Sequence, residues 1–148
     1  MTTTAAQDEV VELCRDLIRI DTTNTGDSAT SAGERVAAEY VAGKLAEVGL
    51  DADIVESEPG RASVISRIPG ADPARGALLV HGHLDVVPAE PAEWSVHPFA
   101  GEIRDDYLWG RGAVDMKDMD AMTLAVVRQW MREGTTPPRD IVLAFVAD

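Results

Sequence analysis

The stretch "IVLAFVAD", residues 141–148, is apolar at every position before its final aspartate. Such an unbroken run is typical of a strand that is buried on both faces of a parallel sheet. The apolar segment 77–80 predicts a second strand, and the residues from about Asp115 to Gly134 have the apolar spacing of a helix. Strands separated by helices predict an α/β fold with three αβα layers, in which helices flank a mostly parallel central sheet.

The amino-terminal half supports this fold class. Apolar periodicity predicts a helix over residues 8–20 and a second helix that ends at Gly49, with Ser31 and Glu34 at the spacing of a capping box. Two strands are predicted near 52–56 and 62–68. The segment "EIRDDYLWG" predicts a small hairpin that turns at Asp105 and Asp106.

Composition limits the classes of partner. The chain has 148 residues, 45% of them hydrophobic, and a formal net charge of -13, which suits one soluble domain and disfavours nucleic acid and anionic membrane surfaces. No apolar stretch approaches the length of a membrane span, and the amino terminus lacks a basic start followed by an apolar block. We therefore expect a cytoplasmic protein.

Cys14 is the only cysteine, so the chain can form neither an internal disulfide nor a thiolate metal cluster. It lies on the apolar stripe of the first predicted helix, which favours a core residue over a nucleophile.

Side chains of the types that can bind metals follow the predicted strand 77–80, in the stretch "HGHLDVVP", residues 81–88. His83 and Asp85 are two positions apart, so in an extended segment both project to the same side. Imidazole is a good zinc ligand, and a carboxylate that binds its other ring nitrogen orients it. The alternative is a hydrogen-bonded surface pair without a metal.

A second candidate lies in "WGRGAVDMKDMD", residues 109–120, where Asp115 precedes the third predicted helix. A helix cap is an alternative role for Asp115, and the helix dipole alone explains Asp118 and Asp120. Lys117 either counters the local negative charge or is solvated.

Taken together, these stretches resemble one family. The stretch around His83 followed by the stretch around Asp115 is far more specific as an ordered pair than either motif alone. The resemblance extends from about Leu13 to Asp148. The family is that of the zinc-dependent exopeptidases and deacylases, which includes aminoacylases, carboxypeptidase G, acetylornithine deacetylase and succinyl-diaminopimelate desuccinylase. The stretches that carry the resemblance are "GHLDVVP" (82–88), "GRGAVDMK" (110–117), "LIRIDTTN" (17–24) and "WSVHPFAG" (94–101).

The resemblance implies a site with two zinc ions, for which cobalt or manganese could substitute. His83 would be a terminal ligand of one zinc, Asp115 would bridge both, and Asp85 would hold His83. The implied activity is hydrolysis of an amide bond in a small peptide or an N-acyl amino acid, as an exopeptidase, dipeptidase or deacylase. The chain departs from many relatives in having Asp118 and Met119 where they have glycines.

The resemblance also implies that residues 1–148 are the amino-terminal portion of a catalytic domain. A pair of glutamates would follow Asp148, the first as general base and the second as a zinc ligand. Two further ligands, an Asp and a His, and a lid domain for dimerisation would belong to later segments. We expect such a fragment to be inactive alone, and the full-length protein could form a homodimer. The rival hypothesis is a non-catalytic relative that binds a small ligand, or an interaction module of the same fold.

Overall fold

The computed structural model describes residues 4–148; residues 1–3, part of the amino-terminal stretch examined for a targeting signal, lie outside the described residues. Within that range, no helix is both long enough and apolar enough to cross a membrane. The elements in chain order are α1 (Ala6–Arg19), α2 (Arg35–Ala46), β1 (Ala52–Glu58), β2 (Arg61–Ile68), β3 (Leu78–His83), β4 (Glu102–Arg104), β5 (Tyr107–Trp109), α3 (Lys117–Glu133) and β6 (Ile141–Val146).

The main sheet has four strands in the order β1-β2-β6-β3. The predicted α/β fold is confirmed, but the sheet is mixed, since β6 is parallel to β3 and antiparallel to β2. β1 and β2 are also antiparallel, because the two-residue turn at Pro59 and Gly60 is too short for a parallel crossover. β3 and β6 form the parallel pair, and α3 lies in the long connection that such a pair requires.

All three helices share one hydrophobic core with one face of this sheet. The opposite face carries exposed apolar side chains, such as Val55 (53% exposed) and Leu79 (56% exposed). Within residues 4–148 the helices thus form a single layer, where the sequence predicted a layer on each face. Fully buried side chains at the core include Leu17, Ile18, Val41, Leu45, Val64 and Leu124.

Two local expectations have different outcomes. The hairpin turn is confirmed, since Asp105 and Asp106 connect β4 and β5 with φ of 53° and 63°. The predicted capping box is wrong. α2 begins only after Glu34, and the Ser31 hydroxyl instead accepts a hydrogen bond from the Thr25 main-chain N–H at 3.0 Å. Ser31 therefore stabilises the preceding loop.

Cys14 is 5% exposed and packs in the core, as predicted. Burial and the nearby charge of Asp118 raise the pKa of this thiol to about 11. At pH 7 only about one molecule in 10,000 then carries the reactive thiolate. We expect a disulfide reagent to leave Cys14 unmodified in the native protein and to modify it fully in concentrated guanidinium. Native labelling at the rate of free cysteine would contradict this prediction.

Candidate functional site

The three predicted site residues lie at the carboxyl end of β3 and in the turn before α3. β3 extends to His83, beyond the predicted end of this strand at residue 80, because β6 pairs with it as far as Val146. His83 is therefore held by a strand, and Asp85 follows in the next segment. Asp115 lies in the turn before Lys117, the first residue of α3. The topology brings these residues to one edge of the sheet.

His83 and Asp115 are in contact although 32 positions separate them in the chain. The distance from His83 Nε2 to Asp115 Oδ1 is 3.0 Å, and the Asp115 side chain is 88% exposed. Asp115 is not a helix cap, since Met116 occupies the N-cap position and no side chain caps α3. The peptide bond between Asp115 and Met116 is cis. The Asp115 carboxylate thus projects into solvent beside the imidazole.

Asp85 holds the other nitrogen of the imidazole. His83 Nδ1 lies 3.0 Å from the main-chain carbonyl oxygen of Asp85 and 3.4 Å from its carboxylate. Burial lowers the pKa of His83, but the hydrogen bond to Asp115 and the interactions with Asp85 outweigh burial, and the net pKa is raised. The ring is therefore fixed in orientation, with Nε2 toward Asp115.

This pair has a spacing that suits one metal ion. Two ligands of a tetrahedral zinc, each about 2.0–2.1 Å from the metal, lie about 3.3 Å apart. The 3.0 Å between His83 Nε2 and Asp115 Oδ1 is close to this value. Residues 4–148 contain no group of three or more His, Cys, Asp or Glu side chains placed to hold a metal. The described residues thus bring together two candidate ligands of the predicted site.

The carboxylate of Asp85 has a partner that sequence reasoning missed. Asn24 Nδ2 donates to Asp85 Oδ2 at 3.1 Å, and the Asp148 main-chain N–H donates to Asp85 Oδ1 at 3.3 Å. Asn24 belongs to a segment rich in turn-forming residues, which explains an asparagine without any site. The only available signal was its place in the stretch 17–24 that resembles the family.

Two charged residues are buried beneath the site. Lys117 is fully buried and donates to the carbonyl oxygens of Leu17 and Ile20, each at 2.8 Å, so the alternative of a solvated lysine is wrong. Burial lowers the pKa of Lys117 to about 8. Burial also raises the pKa of Asp120 to about 7. A Cβ at Gly82 would lie 2.3 Å from Asp120 Oδ1, so glycine is required at this point of β3.

Comparison with known proteins agrees with the motifs at this edge. Residues 79–148, which include His83, Asp85 and Asp115, match the sequence model of Peptidase family M20/M25/M40. This segment, 70 of the 148 residues, is similar to that family. The family resemblance predicted from the sequence is thereby confirmed.

Individual relatives cover most of the chain. Aminoacylase-1 of Sus scrofa is 39% identical over 103 residues, which are 69% of this chain and 25% of that protein. An M20 family metallo-carboxypeptidase from Sulfolobus solfataricus, Sso-CP2, superimposes with a TM-score of 0.78 at 22% identity, over 95% of this chain and 31% of that chain. The YXEP protein of Bacillus subtilis, a dinuclear metal binding peptidase from the M20 family, has a TM-score of 0.63 at 14% identity, over 95% of this chain and 35% of that chain.

These matches establish the shared fold. The chain spans about a quarter to a third of the length of these three proteins.

Proposed function

We propose that this protein is a metal-dependent hydrolase that cleaves the amide bond of a small peptide or an N-acyl amino acid. The observation that carries the proposal is the 3.0 Å contact between His83 Nε2 and Asp115 Oδ1 at the carboxyl edge of the sheet. The relatives support it, since they include an aminoacylase and a metallo-carboxypeptidase.

In this proposal His83 would hold one zinc ion, and the Asp115 carboxylate would be shared by two. A pair of bound metal ions polarises a carbonyl group and lowers the pKa of a water molecule. In the neutral imidazole, Nδ1–H of His83 would donate to the Asp85 carbonyl oxygen, and the lone pair at Nε2 would be the one that binds a metal. Cobalt or manganese could replace zinc, because the ligand types suit all three.

The same proposal assigns residues 1–148 to the amino-terminal portion of the catalytic domain. The general base and the remaining metal ligands then lie outside these residues, and the 148-residue chain alone is inactive. The share of the relatives' length that the chain spans supports this assignment.

The test uses protein expressed from its complete gene. We expect about two equivalents of bound zinc and hydrolysis of N-acetyl amino acids or dipeptides. His83→Ala and Asp115→Ala should each lower metal content and reduce the hydrolysis rate by more than about 1,000-fold. His81→Ala is the matched control, because His81 is an exposed histidine on the same strand. It should leave both quantities unchanged.

Unchanged metal content and activity in Asp115→Ala would contradict the proposal. A folded wild-type protein that binds no metal and hydrolyses none of these substrates would instead support the non-catalytic alternative.

A further inference from the structure

Asn24 holds Asp85 through a side-chain amide whose two ends are both hydrogen-bonded. Its Nδ2 donates to Asp85 Oδ2 at 3.1 Å and to the carbonyl oxygen of Asp148 at 2.8 Å, while its Oδ1 accepts from the Gly26 N–H at 2.9 Å. A flipped amide would turn its oxygen toward two acceptors and its NH₂ toward a donor. Asn24 therefore presents an N–H of fixed direction to Asp85.

The main chain fixes the distance between the two residues. The Asn24 N–H donates to the carbonyl oxygen of Val86 at 2.8 Å, and the Val86 N–H donates to that of Thr22 at 3.1 Å. The Thr22 hydroxyl, which is buried, donates to the Leu84 carbonyl oxygen at 2.7 Å. Residues 22–24 and 84–86 thus form one hydrogen-bonded unit. The contact between Asn24 and Asp85 does not depend on side-chain rotamers alone.

The hydrogen bond from Asn24 orients the Asp85 carboxylate without neutralising its charge. The Asp85 side chain is 13% exposed, and within the part of the chain that the structure describes its one ion-pair contact is with His83, at 3.4 Å. The buried charges of Lys117 and Glu34 act on it from a longer distance. A lysine or arginine in the place of Asn24 would cancel the negative charge. An amide leaves the charge available to the imidazole, and a hydrogen-bonded carboxylate behind a ligating histidine increases its basicity.

We infer that Asn24 is a positioning residue of the metal site, acting through Asp85 to hold His83 in the orientation that directs Nε2 toward Asp115. The inference rests on the proposed function, since it requires that His83 binds a metal ion.

A double-mutant cycle on protein expressed from its complete gene tests this inference. The probe is Co²⁺ alone, whose binding is followed by visible absorption. In Asn24→Ser the hydroxyl oxygen can still accept from the Gly26 N–H, but the serine side chain is too short to reach Asp85. It should weaken Co²⁺ binding by about 10–100-fold, as should Asp85→Ala. In the Asp85→Ala background, Asn24→Ser should change the affinity by less than about twofold, because its partner is already absent.

Thr25→Ala is the matched control for disturbance of the loop. The Thr25 hydroxyl bonds only within this loop, to Asp27, Thr30 and Ser31. This variant should bind Co²⁺ within about twofold of the wild type. Asn24→Ala is measured in parallel as a second variant for the case that Asn24→Ser does not fold. The thermal transition of each variant shows whether it is folded.

Each outcome decides a different point. Equal weakening by Asn24→Ser with and without Asp85, or no weakening at all, would overturn the inference. If His83→Ala weakens Co²⁺ binding and Asn24→Ser does not, the proposed function stands and only the role of Asn24 is wrong. If His83→Ala binds Co²⁺ as the wild type does, the proposed metal site is wrong and the inference falls with it.

Discussion

Lys117→Met is expected to lower the free energy of unfolding by about 3 kcal/mol at pH 7. The Lys117 ammonium is fully buried, and its two acceptors are carbonyl oxygens at the carboxyl end of α1, Leu17 and Ile20. Helix ends leave carbonyl groups without intrahelical partners, and a buried acceptor that loses its donor costs about 1–3 kcal/mol. Leu17 would keep the bond from the Ile20 N–H at 3.2 Å, so the cost arises from the lost ammonium bonds at both carbonyls. Methionine fills the same space but cannot donate. Urea denaturation measures the loss.

Lys44→Met is the matched control, because Lys44 is the other lysine of the chain. Its side chain is 27% exposed and pairs with the half-exposed Glu47, a kind of ion pair that contributes about 0–1 kcal/mol. The two variants should therefore differ by about 2 kcal/mol or more. Equal losses in both would mean that the buried ammonium adds no more to stability than a surface lysine does.

Leu124→Ala is expected to be similarly destabilising, by about 3 kcal/mol, for a different physical reason. Leu124 is fully buried on α3 and belongs to the core shared by the three helices and the sheet. Removal of its side chain beyond Cβ loses hydrophobic transfer free energy and leaves a cavity, which together cost about 2–5 kcal/mol in buried leucines. In a domain of this size, the thermal midpoint should fall by about 10 °C. Calorimetry measures this shift.

Leu79→Ala makes the same chemical change on the exposed face of the sheet, where Leu79 is 56% exposed. No enclosed cavity results, so the cost should stay below about 1 kcal/mol. A loss as large as that of Leu124→Ala would show that this face is covered in solution.

Sequence periodicity predicted most of the elements because it is a local property. β6 and α3 lie where apolar spacing placed them, within a few residues. The exceptions have physical reasons. β3 continues to His83 because pairing with β6 overrides the polar residues there, and α2 starts later than Ser31 because that hydroxyl bonds within the loop.

The candidate site was only partly predictable, since its supporting contacts are not local. Spacing predicted His83 and Asp85 as candidates and the family resemblance added Asp115, and the structure brings these three together. Asn24 contacts Asp85 across 61 positions, and Lys117 bonds the end of α1 across about 100. No pattern within a helix or strand encodes such pairings. A lysine preceded and followed by acidic residues is typical of a solvated helix start, so its burial could not be predicted.

The exposed face of the sheet also bears on how copies of the chain behave in concentrated solution. The exposed side chains of Val55 and Leu79 favour hydrophobic association of this face with other apolar surfaces. The net charge of -13, in contrast, makes any two chains repel one another. The repulsion acts through solvent and is screened over about 10 Å at 0.1 M salt, but the apolar attraction is not screened. Ionic strength therefore shifts the balance between the two forces, and we expect self-association of the 148-residue chain to increase with salt concentration.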